Sequence, residues 1–334
     1  SRISSSGVLL DAGGIVIASS TAYYYVEPAT AFDGNNFIVT YSNSIGDLVI
    51  DYNVLASRID NEGHLVDING LIISDTSGIQ KAPAILYDGK NCLLAWEDNH
   101  IGNDQINAAF LDHSGVVSPI GGFEVTRGYN NQLFGDAAFD GTNYMAVWCD
   151  TRNEKNMNIF AARINNQGVV LDQQAIAITT GEEDCFDPAI AFNGTSYLVV
   201  WDAGSDIFGA RLSTAGAVLD PEGFVIYQDD FSQNNPAIAS DGQNWMVLWE
   251  DSRNTVLEKE TDIYGAVITP DGSVLQPQSL PILVFTLDQI NPDISFDSTN
   301  YIAVWQDYRA GIAGIPNIYG TRIAPDGTVL DNNG

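Results

Sequence analysis

The sequence predicts an all-β chain folded as a six-bladed β-propeller, with four antiparallel strands to a blade. Three observations predict it. One phrase recurs six times along the 334 residues. Its aromatic anchors, Tyr41, Trp96, Trp148, Trp201, Trp249 and Trp305, follow one another at steps between 48 residues (Trp201 to Trp249) and 56 residues (Trp249 to Trp305). That period fits propeller blades and is too long for leucine-rich or ankyrin units. Finally, 31 glycines punctuate short runs of Val, Ile, Tyr and Trp, the composition of strands and tight turns.

Each element can be justified in order. The chain opens with Gly7-Val8-Leu9-Leu10-Asp11-Ala12-Gly13-Gly14-Ile15-Val16-Ile17. This stretch reads as the end of a blade, so residues 1–20 are expected to supply a closing strand that completes the last blade and removes two free sheet edges. Blades are then expected over 21–74, 75–126, 127–179, 180–227, 228–284 and 285–334. In each, strand a is the apolar run after a Pro, as in Ala189-Ile190-Ala191-Phe192. An Asp-Gly or Asn-Gly pair turns the chain (Asp33-Gly34, Asp88-Gly89, Asp140-Gly141, Asn193-Gly194, Asp241-Gly242), the strongest short-range hairpin signal. Strand b carries the anchor, as in Tyr197-Leu198-Val199-Val200-Trp201. Strand c follows a loop of varying length, as in Asp262-Ile263-Tyr264-Gly265-Ala266. A turn with glycine at 63, 115, 168, 216, 272 or 327 leads to strand d. The anchors are expected to fill the space between blades. The last blade stops at Gly334, before its strand d.

Composition bounds the function. Thirteen Lys and Arg against 43 Asp and Glu leave a formal charge of −30. That argues against nucleic acid and anionic membranes, both of which need clustered cations. It favours solubility and attraction for cations. No run reaches the roughly 18 apolar residues of a membrane span, and the first residues do not read as a signal peptide. The low lysine content suits an extracellular or cell-surface setting. Cys92, Cys149 and Cys185 form no metal-binding spacing. Cys92 is expected to be a buried thiol, and a Cys149–Cys185 bridge is conceivable near one face.

Strand order places the uniform a–b and c–d turns on one face and the variable b–c loops and d–a connections on the other. Binding usually lives on variable loops held by a scaffold. The variable face is rich in acids and aromatics, and the candidates there are Tyr24, Tyr129, Phe186 and Tyr308. Rings beside carboxylates suit a sugar, whose C–H faces stack and whose hydroxyls donate. Three blades carry Trp-x-Asp-x-Arg, ending in Arg152, Arg253 and Arg309. These arginines read mainly as blade structure, with recognition of an anionic ligand as a secondary role. Residues just before strand a, above all Glu27, Asp136 and Asp187, are positioned to ring a channel mouth and hold Ca2+, although each also reads as a polar residue ending a loop. Ca2+ is the one cofactor suggested, and no organic cofactor is. His64, His100 and His113 are scattered, and no nucleophile elbow, phosphate loop or HExxH is present, so no catalytic residue is assigned.

The combined phrase Pro-x-Ile-x-Phe-Asp-Gly, Tyr-x-x-x-Trp-x-Asp-x-Arg, Asp-Ile-Tyr-x-x-Arg-Ile-x-x-x-Gly resembles the propeller repeats of bacterial and archaeal secreted or cell-surface proteins. The resemblance spans nearly the whole chain. The signatures of WD and kelch repeats are missing, as is the Ser-x-Asp-x-Gly-x-x-Trp box of sialidase-like propellers. The resemblance implies an extracellular adhesion, scaffold or glycan-associated role and transfers no catalytic residue. The leading expectation is therefore a non-enzymatic, monomeric surface propeller that binds a glycan or a surface protein through its variable face. The alternatives are a polysaccharide-active lyase or glycoside hydrolase using acids and Tyr on that face, and a structural module of a surface assembly.

Overall fold

In a computed structural model, residues 1–4, 6–19, 23–45, 52–100, 102–126, 131–152, 155–221, 223–254, 260–276, 278–309, 315–331 and 334 are described. The protein is an all-β, six-bladed propeller, and no helix occurs among these residues. It follows that no helix is long and apolar enough to cross a membrane.

The first blade comprises β1 (Tyr23–Phe32), β2 (Phe37–Ile45), β3 (Tyr52–Ile59) and β4 (Leu71–Ser74), and the second β5 (Gln80–Tyr87), β6 (Asn91–Asp98), β7 (Gln105–Asp112) and β8 (Val117–Glu124). The third is built from β9 (Gln132–Phe139), β10 (Asn143–Asp150), β11 (Asn158–Asn165) and the short β12 (Ile176–Ala177). The fourth holds β13 (Cys185–Phe192), β14 (Ser196–Ala203), β15 (Asp206–Ser213) and β16 (Phe224–Tyr227); the fifth holds β17 (Gln233–Ser240), β18 (Trp245–Asp251), β19 (Asp262–Ile268) and β20 (Leu280–Leu283). The sixth sheet has three strands among the described residues, β21 (Gln289–Phe296), β22 (Tyr301–Asp307) and β23 (Asn317–Ile323). Every neighbouring pair is antiparallel and in sequence order.

The chain groups into two compact units, one of Ser1–Glu154 with Ala161–Ala175 and the other of Lys155–Phe160 with Ile176–Gly334. Within the first, Ile38, Val54, Ile73, Leu94 and Trp96 share one core between the first two blades. Within the second, Trp245, Trp249 and Ile226 form one core, and Met246, Leu248 and Trp305 another. The anchors thus have the packing role the repeat implies: Trp96, Trp148, Trp249 and Trp305 are all at most 1% exposed.

Two local devices repeat. The a–b turns are closed by their Asp or Asn side chain, as where Asp88 Oδ1 accepts from the backbone N–H of Lys90 and Asn91, both at 2.7 Å. In the first, third, fourth and sixth blades the c–d turn is clasped by an Arg on strand c and an Asp nine residues on. Arg58–Asp67, Arg163–Asp172, Arg211–Asp220 and Arg322–Asp331 all meet at 2.7–2.8 Å, and Gln276 takes the Asp place in the fifth blade by accepting from Val267 N. The guanidinium fork matches the carboxylate, which fixes the turn on both arms.

The N-terminal stretch departs from expectation. It forms a clasp of its own, Arg2 with Asp11 at 2.8 Å around an Ile3–Leu9 bridge, and residues 15–19 make no strand. Ile15 and Ile17 are half-buried and Val16 is 69% exposed.

Strand a also begins earlier than its apolar run suggests. The residues before the Pro lie inside the strand, at a β-bulge where the a–b register slips. Glu27, Ala82, Asp187, Asn235 and Asn291 all take positive φ there, between 48° and 54°. These residues were expected to end a loop. A bulge instead turns one backbone N–H out of the ladder, and that N–H needs an acceptor.

Candidate functional site

The acceptors come from neighbouring blades. Ala82 N donates to Glu27 Oε2 at 2.7 Å, Phe134 N to Glu97 Oε1 at 3.0 Å, and Asn291 N to Glu250 Oε1 at 2.7 Å. Asn235 N does the same for Asp202. Three of these carboxylates, on Glu97, Asp202 and Glu250, occupy the position just after the tryptophan anchor of strand b. Alternation along the strand turns that position away from the ring, towards the bulges of the next blade.

In the second unit this arrangement gathers acids with no cation among them. Asp202 is 8% exposed, and its Oδ1 has no hydrogen-bond partner. Burial, with the nearby Asp187 carboxylate second, pushes its carboxyl up to about 7. Glu250 is raised by burial despite bonds from Asn235 Nδ2 (2.9 Å) and Asn291 N. Asp187 is open to solvent by surface area yet is enclosed closely enough by protein that desolvation raises it too. Like charges in one desolvated site cannot all ionise together, so the cluster retains a proton near neutrality.

Phe186 completes the site. It sits directly across the ladder from Asp202, and its ring is 39% exposed. Of the residues singled out from sequence, the structure therefore brings together Phe186 and Asp187, and it adds Asp202 and Glu250. Those two were missed because the anchor position drew attention to the ring. The signal was the varied residue beside it: Ser42, Glu97, Cys149, Asp202, Glu250 and Gln306.

The other candidates are placed elsewhere. Tyr129 and the Tyr24 side chain lie outside the described residues, and Tyr308 is half-buried after β22. Arg152, Arg253 and Arg309 are each bound to the Asp two residues earlier, so their forks are committed within the blade and not held out for an anionic ligand. Arg253 lies 4.2 Å and 4.0 Å over the rings of Tyr227 and Tyr264, and Arg309 lies 4.6 Å and 4.3 Å over Phe285 and Tyr319. The expected Ca2+ ligands Glu27, Asp136 and Asp187 join no group of three acids at ligand distance. The group at ligand distance found among the described residues is the half-buried Asp60 with the exposed Glu62 and His64, on a c–d turn. All three cysteines are buried and none is in a disulfide, so the Cys149–Cys185 bridge is absent, and burial pushes the Cys92 thiol up to about 12.

No protein-family model and no curated protein sequence matches the chain. Solved structures do. A Hadza microbial sialidase is 14% identical with a TM-score of 0.58, over 86% of this chain and 63% of that one. A subtype N11 neuraminidase-like protein from a flat-faced bat isolate of Peru is 8% identical with a TM-score of 0.54, over 90% and 86%. An endo-arabinase from Bacteroides thetaiotaomicron is 12% identical with a TM-score of 0.49, over 89% and 93%. At such identities the likeness establishes the propeller fold, and it does so without the sialidase sequence box. The sialidase among them is a carbohydrate-cleaving enzyme by its name. That neighbour runs against the expectation of a non-enzymatic adhesion module, which is corrected and not taken further.

Proposed function

We propose that the protein is a polysaccharide-active enzyme that cleaves glycosidic bonds at the Asp187, Asp202 and Glu250 site. The observation that carries this reading is Asp202, a buried carboxyl with one unpartnered oxygen and a pKa near 7. A carboxylic acid that keeps its proton at neutral pH is what a glycosidic oxygen requires to leave, while a second, ionised carboxylate activates water or attacks the sugar carbon. Asp202 supplies the proton. Asp187, the more open of the two, carries the charge. Glu250 helps keep the pair from losing its last proton. The exposed ring of Phe186 gives a sugar face a place to stack. The acid excess supports work outside the cell or at its surface, on a neutral glycan in preference to an acidic one.

The test is reducing-end release from a panel of neutral polysaccharides, arabinan, xylan and galactan among them, by the wild-type chain and by Asp202→Asn. General acid catalysis contributes roughly 10²–10⁴-fold, so the variant is expected to lose at least a hundredfold. Absence of cleavage across the panel, or a variant as active as its parent, overturns the proposal.

A further inference from the structure

The fourth blade lacks a plug that its neighbours share. In the second, third, fifth and sixth blades strand a opens with a buried Gln (Gln80, Gln132, Gln233, Gln289), directly opposite an Asp that ends strand b (Asp98, Asp150, Asp251, Asp307). That Asp accepts from the indole N–H of its own anchor at 2.9–3.3 Å. It also binds a cationic or imidazole side chain two residues on: His100, Arg152, Arg253 or Arg309. Ring, acceptor and lid thus close each blade at this end. The fourth blade has Cys185 opposite Ala203, and Ser205 where the lid belongs. Three long polar side chains are replaced by three short ones at once.

The consequence is a pocket of about 410 Å3, floored by Trp201 and Phe208 and walled by Cys185, Ala203, Glu182 and Glu183. The two rings stack at 6.3 Å and 15°. Trp201 is 3% exposed, and its Nε1 makes no hydrogen bond among the described residues, because the acceptor its counterparts use is missing. The indole N–H lies at the pocket floor without a protein partner and can donate to an acceptor bound there. The two glutamates, both exposed at its wall, can accept.

We infer that this pocket is a separate binding site for a neutral sugar ring. A hydroxyl group is both acceptor and donor: one accepts from Trp201 Nε1 while others donate to Glu182 and Glu183, and the C–H face of the ring lies on the aromatic floor. A guanidinium would satisfy the glutamates and leave the indole N–H unpaired, and a carboxylated sugar would be repelled by the glutamates. The volume is within the range of small-ligand pockets. The site does not depend on the catalytic reading: Trp201 and Ala203 lie on one face of β14 and Asp202 on the other.

The experiment is saturation-transfer NMR on the full chain with methyl β-D-glucopyranoside, methyl β-D-galactopyranoside, methyl α-L-arabinofuranoside, glucuronate and ethylguanidinium as separate probes. At least one neutral glycoside is expected to show saturable transfer, and glucuronate none. The double variant Ala203→Asp/Ser205→Arg restores the plug and is expected to weaken binding at least tenfold. Ala203→Leu, which fills the same space without charge, serves should the double variant fail to fold. Trp201→Phe keeps the ring, removes the N–H and is expected to weaken binding several-fold, whereas Asp202→Asn, which abolishes the proposed catalysis, is expected to bind as the parent does. Transfer from none of the neutral glycosides, transfer unchanged in the filled variants, or binding of ethylguanidinium alone overturns the inference.

Discussion

The second and fourth blades solve the same problem in opposite ways. Each buries a carboxylate just after its anchor tryptophan and uses it to receive a bulge N–H from the next blade. Across the ladder from Glu97 stands Lys81, and its ammonium meets the carboxylate at 3.1 Å. Across from Asp202 stands Phe186. Burial pushes Glu97 up while Lys81 pulls it down, and the Lys81 ammonium is itself raised, as befits an ion pair. Asp202 has no such partner, and a second acid stands near it. One cross-strand residue thus separates a structural carboxylate from a chemically poised one, since a desolvated acid without a cation must hold its proton.

The largest expected effect of this difference is on stability against pH. Asp202 is raised from 3.8 to about 7, so between those values the folded chain binds a proton that the unfolded chain has lost. Its contribution therefore falls as pH rises from about 4 to about 7 and is then constant. The difference in unfolding free energy between wild type and Asp202→Asn, followed by urea melts across that range, is expected to decline by about 4 kcal/mol. A flat difference curve would show that Asp202 titrates normally.

Next in size is Lys81→Met. It leaves Glu97 buried without its cation and is expected to cost about 2 kcal/mol, less than for a fully enclosed pair because the ammonium is partly open to water. Cleavage per folded molecule should be unchanged. Phe186→Lys is the converse, placing an ammonium where the second blade has one. It should lower the Asp202 pKa and move the alkaline limb of the rate–pH profile down by about one unit, with roughly a tenfold loss at pH 7. An unmoved limb would separate the proton donor from Asp202. Smallest is Arg211→Ala, which opens one c–d clasp with Asp220 and is expected to cost about 1 kcal/mol with no change in either pH profile.

Much of this was legible before any coordinates. The six phrases, their Asp-Gly turns and their anchors specify blades because hairpins and strand alternation depend on near neighbours in sequence. The Arg and Asp of the c–d clasp, nine residues apart in five places, were equally visible as a spacing. Other features were not legible. The bulge at Glu27, Ala82, Asp187, Asn235 and Asn291 resembles the end of a loop in sequence, since a Pro follows all five of these residues as it would follow a terminator. The missing fourth-blade plug appears in sequence only as Ala203 and Ser205 breaking a motif. Its third member, Cys185, lies 18 residues earlier and becomes part of it only through pairing with Ala203.

The sequence by itself determined the repeat, the strand order, the hairpin turns and the tryptophan cores, because each follows from backbone geometry and hydrophobic period over a few residues. Only the tertiary structure decided which of the 43 acids matter. Whether a carboxylate is ionised depends on what lies within a few ångströms of it, on how much water reaches it and on whether a cation stands opposite. Glu97 with Lys81, and Asp202 with Phe186 and Asp187, differ in those respects and hardly at all in their place in the repeat.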